Sequence, residues 1–336
     1  MTTYSGRKQG LMPVEAYLSQ DWFDREQDAL FAQCWQFAGL VEDVTEPGDY
    51  ITVQAGLYLQ HILEKEMEFP NVDMTQLCLP AAAVETWRGM VFVHPQPNPS
   101  HPLMTWFQGV EDGLGPHQPE KLMEYVEGRL RHDVNANWKL VVENYIDGYH
   151  LSHLHSETLY MYGHAKQKTR FSGPHFLFYE PLTADYLANV DKASELPLID
   201  HIPRDQIGAY VPMLFPNLDL AESEASWSTF HIIPMAPDKT LIDIRTKVMP
   251  VSERQFRKQS RSSYYHFKWK SGDKYGTQDP NDPMASGDFM LEDVYVCEQQ
   301  QKAMRSPMYG VGATAAHLEQ SVLGFQQHVL NWVPVD

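Results

Sequence analysis

The chain has 336 residues, 43% of them hydrophobic and 21% charged, with a formal net charge of −18. This composition excludes a disordered or low-complexity chain and allows one large core or two modest ones. The acidity sets aside nucleic acid and anionic membrane as partners, because both would be repelled at long range.

In chain order, Met1 to Gly10 is polar and carries Arg7 and Lys8, with no apolar run behind it of the kind a secretory signal needs. The pattern of Trp22, Phe23, Ala29, Leu30, Phe31 and Trp35 predicts an amphipathic helix over Asp21–Gln36. Glu46-Pro47-Gly48-Asp49 is turn chemistry feeding a predicted strand at Tyr50–Val53, and Gly89–His94 predicts another. The proline-rich run Pro95–Ser100 then reads as a linker, placing a domain boundary near residue 100, with domains at 1–100 and 101–336. Beyond it, helices are predicted over Pro119–Leu130 and Asn137–Tyr149, the second with Asn135 or Asn137 as N-cap. Strands follow at Ala209–Val211, Trp227–Ile233 and Leu241–Val248, the last two joined by a hairpin connection at Met235–Lys239. Helices over Phe289–Met304 and Ala315–Trp332 close the chain, and the mixture reads as α+β with an antiparallel sheet. No stretch approaches the ~20 apolar residues of a membrane span. Cys34, Cys78 and Cys297 are scattered singly, so no disulfide framework is expected and a reducing cytoplasm is.

The densest group of metal-type ligands lies in Asn144–His155, where Asp147 is followed by His150, His153 and His155. One such histidine would read as a satisfied structural side chain; three within six residues beside a carboxylate point to a metal. Asp147 and His150 are three apart, close enough on a helix for the carboxylate to accept the imidazole N–H and fix its tautomer. His150 and His153 would share a face, whereas His150 and His155 would diverge by ~140° on an unbroken helix. Spacing alone therefore favours His150 with His153, unless the helix ends near Tyr149.

Asn137-Trp138-Lys139, Glu143-Asn144-Tyr145, Asp147-Gly148-Tyr149-His150 and His155 together resemble the catalytic-domain motif of the Rieske non-haem iron oxygenase α subunits, the ring-hydroxylating and demethylating oxygenases. The resemblance selects His155 over His153. It also makes Asp293, in Glu292-Asp293-Val294-Tyr295-Val296-Cys297-Glu298-Gln299, the expected third ligand. Trp35, Pro47–Tyr50, Trp87–Val93, Phe215–Leu218 and Glu319–Val322 extend it over most of the chain. It implies a helix-grip (START/Bet v1-like) catalytic domain after residue 100, in which an antiparallel sheet wraps a long helix. Mononuclear Fe(2+) is expected on His150, His155 and Asp293, with O2 bound beside a small organic substrate. Asn144 and Asp147 would stand behind those ligands, and Phe215, Leu218, Phe230 and Ile232 would line the substrate pocket. Asp147-Gly148-Tyr149 leans toward an aromatic or cyclic substrate, and trimers are the family's rule.

One element of that family is missing. Its 2Fe–2S cluster is held by Cys-x-His and Cys-x-x-His, and none of Cys34, Cys78 or Cys297 has a histidine two or three residues later. The segment between Tyr50 and Trp87, running through Gln60–Glu68, is shorter than the family's cluster loops. Residues 1–100 thus read as a truncated Rieske-like remnant without a cluster. Three readings follow: an oxygenase supplied with electrons in trans by a cluster-bearing partner; an iron dioxygenase or oxidase whose substrate supplies all electrons; and a non-catalytic binding or structural subunit. Asp147, which in the family bridges the iron to a neighbouring subunit's cluster, would either relay electrons or only orient His150.

Overall fold

A computed structural model of the chain describes residues 10–53, 81–194, 196–257, 282–315 and 317–335. Cys78 and the Gln60–Glu68 segment lie outside the described residues. The chain divides into two compact units, Asp24–Gln108 and Met1–Phe23 with Gly109–Asp336.

Helix α1 (Gln20–Ala29) is shorter than the predicted Asp21–Gln36. After a 3-10 turn at Phe31–Gln33 the chain extends into β1 (Gln36–Leu40). That strand pairs with β3 (Met90–His94), which pairs with β2 (Ala83–Trp87), giving an antiparallel sheet of order β1-β3-β2. Phe92 packs edge-on against Phe37 and Phe107 beneath it. Tyr50–Val53 is not a strand: it has no partner ladder among the described residues, and Tyr50 stands 83% exposed. β-rich composition without a neighbouring strand leaves the backbone irregular.

The larger unit holds an eight-stranded antiparallel sheet. Its strands are β4 (Met123–Val134), β5 (Lys168–Ser172), β6 (His175–Pro181), β7 (Gly208–Tyr210), β8 (Met213–Leu214), β9 (Leu218–Glu222), β10 (Ser226–Ala236) and β11 (Lys239–Val248). They run in the order β4-β11-β10-β9-β7-β6-β5, with β8 paired to β6 and β9. A tight turn at Pro237-Asp238 joins β10 to β11, where the hairpin is expected.

The predicted helix over Pro119–Leu130 is wrong. A 3-10 turn at Pro119–Lys121 leads into β4, which pairs with β11 through a register shift opposite Arg245 and Lys247. That irregularity buries Tyr125 and Gly128, three residues apart, so in sequence it mimics a helical repeat. Gly128 suits the close approach: a Cβ there would lie 2.9 Å from the Thr246 carbonyl oxygen. Arg245 holds the register by donating to both oxygens of Glu124, at 2.8 and 2.7 Å.

Helix α2 (Trp138–Ile146) starts at Asn137, whose side chain accepts from the Lys139 amide at 3.0 Å, a standard N-cap. Trp138, Lys139, Leu140, Val141, Val142, Glu143 and Ile146 are all buried, while Asn144 and Tyr145 are half-buried at the cavity wall. It contacts β10, α4 (Phe289–Met304) and α5 (Gln320–Trp332). A surface helix, α3 (Ala184–Ala193), buries only Val190. The predicted bounds of α4 agree with the structure, whereas α5 begins five residues later than the predicted Ala315. Among the described residues no helix is long and apolar enough to cross a membrane.

Candidate metal centre

Helix α2 stops at Ile146, and the next residues decide the site. Asp147 is extended (φ −75, ψ 117). Its Oδ1 accepts from the Tyr149 amide at 2.7 Å and its Oδ2 from the His150 amide at 3.3 Å. This side-chain turn starts a separate helical turn, Leu151–Leu154, with His150 at its N-cap position and His155 at its C-cap. His150 and His155 thus stand at the two ends of one short turn, and their rings lie 5.1 Å apart, nearly perpendicular at 76°. His153 turns to solvent instead, stacked on Tyr149 at 5.2 Å.

Asp293, in the second turn of α4, completes the group. Its Oδ1 lies 2.9 Å from His155 Nε2 and 3.7 Å from His150 Nε2. One ligand atom from each of the three lies within 4.8 Å of the others, and this is the one such group among the described residues. Each imidazole has a carboxylate behind it. His150 Nδ1 faces Asp147 Oδ2 at 3.1 Å, and His155 Nδ1 faces Glu292 Oε2 at 2.8 Å. A carboxylate accepting Nδ1–H leaves Nε2 as the lone-pair nitrogen, so both Nε2 atoms are aimed at the space in front of Asp293. Thr158 Oγ1 donates to the same Glu292 oxygen at 3.0 Å and fixes it.

The electrostatics fit a cation. Burial of His155, 1% exposed, works against its charged form, but hydrogen bonds and charge from Asp293 and Glu292 overcome it and raise the imidazole to about 9. The site thus holds positive charge strongly. Two imidazoles and a carboxylate are the nitrogen and oxygen donors that a divalent metal ion takes, and these three side chains would hold one here.

The three side chains border a cavity of about 480 Å³, which Asn144, Tyr145 and Phe230 also line. Of the predicted pocket residues, Phe230 is in the wall, and Ile232 borders a neighbouring recess of about 30 Å³. Phe215 and Leu218 are corrected: both are buried outside the wall. Phe215 packs on Phe325 and His328 of α5. Leu218 is adjacent to Asp219, the register partner of Phe230, and alternation puts Leu218 on the other face of the sheet.

Two residues at the centre escape sequence reasoning, Glu292 and Thr158. Glu292 is visible as the neighbour of Asp293, but adjacent helical residues diverge by ~100° and would not be expected to share a site. They do so because His155 inserts between them, one nitrogen on each carboxylate. The Asn-Trp-Lys part of the motif is structural. Asn137 caps α2, Trp138 packs edge-on to Phe325, and Lys139 is fully buried with its ammonium over the Tyr17 and Trp138 rings. Glu143 accepts from the Tyr17 hydroxyl at 2.6 Å, and burial raises its carboxyl to about 7.

The model of the family described as ring hydroxylating α subunit, catalytic domain, matches residues 122–334. No curated protein matches the sequence. Among solved structures, the quaternary ammonium Rieske monooxygenase CntA with inhibitor MMV12 is similar, at TM-score 0.69 and 15% identity over 95% of this chain and 94% of that one. Another structure of a quaternary ammonium Rieske monooxygenase, described with carnitine oxidation by gut microbiota and inter-subunit electron transfer, gives TM-score 0.68 at 14% identity over 95% and 94%. Naphthalene 1,2-dioxygenase from Rhodococcus sp. with indole bound gives 0.61 at 13% identity over 96% and 95%. At these identities the likeness to solved structures establishes the fold. The family match covers β4 to α5, every strand of the large sheet and all three residues of the centre, and the chain belongs to the ring-hydroxylating oxygenase α-subunit family.

Proposed function

We propose that the chain is a mononuclear Fe(2+)-dependent oxygenase that acts with O2 on a small organic substrate and takes its electrons in trans from a cluster-bearing partner. One observation carries the reading: His150, His155 and Asp293 converge at the wall of a 480 Å³ cavity, each imidazole backed by its own carboxylate. A site serving only structure would have no need of an open side facing a cavity. Bound there, iron would supply the O2 chemistry.

The chain's own residues do the rest. Asp147 and Glu292 hold the imidazole tautomers and Thr158 steadies Glu292. Asn144 stands in the wall beside the centre. Tyr145, whose hydroxyl donates to the Leu220 carbonyl at 2.5 Å, and Phe230 shape the apolar side of the cavity and limit access of water. The finer family features belong to the same proposal: a helix-grip arrangement of sheet and α2, an N-terminal unit derived from a Rieske domain, trimeric assembly and a cytoplasmic setting.

Electron supply in trans is supported by the residue pattern and by Asp147. No cysteine has a histidine at cluster spacing, so the chain carries no 2Fe–2S cluster of its own. Asp147 contacts His150 and keeps 16% of its side chain accessible. Oxygen-electrode assays of the iron-loaded chain separate this from oxidation driven by substrate electrons. Substrate-dependent O2 uptake is expected only with a reduced cluster protein present. Many turnovers without one would overturn the in-trans supply.

A further inference from the structure

The cavity wall has a chemical bias that the metal centre does not explain. Five carboxylates border it, Asp147, Glu180, Glu222, Asp288 and Asp293, and among the described residues no lysine or arginine does. Four are accounted for. Asp147 and Asp293 serve the histidines. Asp288 caps α4 through the Met290 amide at 2.9 Å. Glu222 shares strand parity with Leu220, not with the cavity-facing Ala221, and its Oε2 accepts from the Gly115 amide on the other side of the sheet.

Glu180 is left. It follows Phe178 on β6 at the same parity and lies opposite Ala209, and both of those also line the cavity, so its carboxylate faces inward. It is 3% exposed. Its hydrogen bond to His164 Nδ1, at 3.0 Å, uses Oε2. The same cavity is lined by the aromatic residues Tyr162, Phe178, Tyr145 and Phe230. Burial, then the charges of Glu224 and Glu180, push the Tyr162 phenol well above its usual range, so the ring stays neutral.

A buried carboxylate in a cavity wall of mainly apolar area is costly to a neutral occupant, which strips it of water and offers it no opposite charge. An organic cation returns both the charge interaction and contact with the electron-rich ring faces. We infer that this cavity selects a small organic cation, an amine or quaternary ammonium compound, whose charged head sits at Glu180 and whose remainder points toward the metal centre. This departs from the aromatic or cyclic substrate that the Asp147-Gly148-Tyr149 pattern suggests. It rests on the oxygenase reading only in treating this cavity as the substrate's.

The test is equilibrium binding without turnover. Iron-loaded anaerobic protein is titrated calorimetrically with tetramethylammonium, choline and benzyltrimethylammonium, and with 3,3-dimethylbutan-1-ol, the neutral carbon counterpart of choline. At least one cation is expected to bind below about 10 mM, with choline at least tenfold tighter than the neutral alcohol. In Glu180→Gln that preference should fall to within about threefold, through weaker binding of choline and no loss of affinity for the alcohol. Binding by no cation, equal binding of alcohol and choline, or an unchanged preference in Glu180→Gln would each overturn the inference. Iron content and circular dichroism are recorded on the same samples. Absent iron with retained cation preference would count against the oxygenase reading alone, and retained iron without that preference against this inference alone.

Discussion

His155 is the residue on which the centre turns. In sequence it competes with His153, and only the resemblance to an ordered motif separates them. In the structure the pair flanks one short turn, Leu151–Leu154, which Asp147 starts after it ends α2, while His153 within that turn is exposed. Side-chain turns of this kind are local and legible once Asp147 is seen to bind two amides, but a helical wheel drawn through them gives the wrong pair. Glu292 was not legible, because its role depends on a histidine 137 positions away. It has a measurable consequence. Glu292→Gln should weaken ferrous iron binding by about 10- to 100-fold in a competitive chelator titration, since the buttress on His155 is lost. An unchanged affinity would show that Glu292 only fills space.

Among the elements, α4 is the best read and β4 the worst. The apolar spacing and acidic first turn of Phe289–Met304 belong to a helix in any context. The spacing in β4 belongs to a register shift that exists only because β11 lies beside it. The site's far wall was obscure for a related reason. Period-two alternation shows that Leu218 and Asp219 face opposite ways, but not which face is the cavity's. Asp219 is the outcome: 0% exposed, with neither carboxyl oxygen hydrogen-bonded, bordering the small recess beside Ile232. Burial raises its carboxyl well above the usual range. A folded-state value above the unfolded one means this group favours folding below about pH 4 and loses that contribution as the pH rises. Asp219→Asn should therefore be more stable than the parent at neutral pH, by on the order of 1 kcal/mol, with the gap closing toward pH 4. Thermal melts across that range check it, and a variant less stable at neutral pH would show that Asp219 has a partner in solution.

At the scale of the whole molecule, two stretches far apart in sequence, 147–155 and 292–293, meet at one wall of a cavity built by the antiparallel sheet. The ligand set was readable because its residue types are rare together and ordered. The cavity's acid was not, because Glu180 in sequence is one acid among many in a chain of charge −18. An intact ligand set stands in a chain without cluster ligands, and the proposed function depends on iron binding there. Anaerobic loading with ferrous iron, followed by metal analysis of the desalted protein, tests that most directly. One iron per chain is expected in the wild type, with near-complete loss in both His155→Ala and Asp293→Ala at unchanged circular dichroism. Substoichiometric iron in the wild type, or equal iron in the variants, would contradict it.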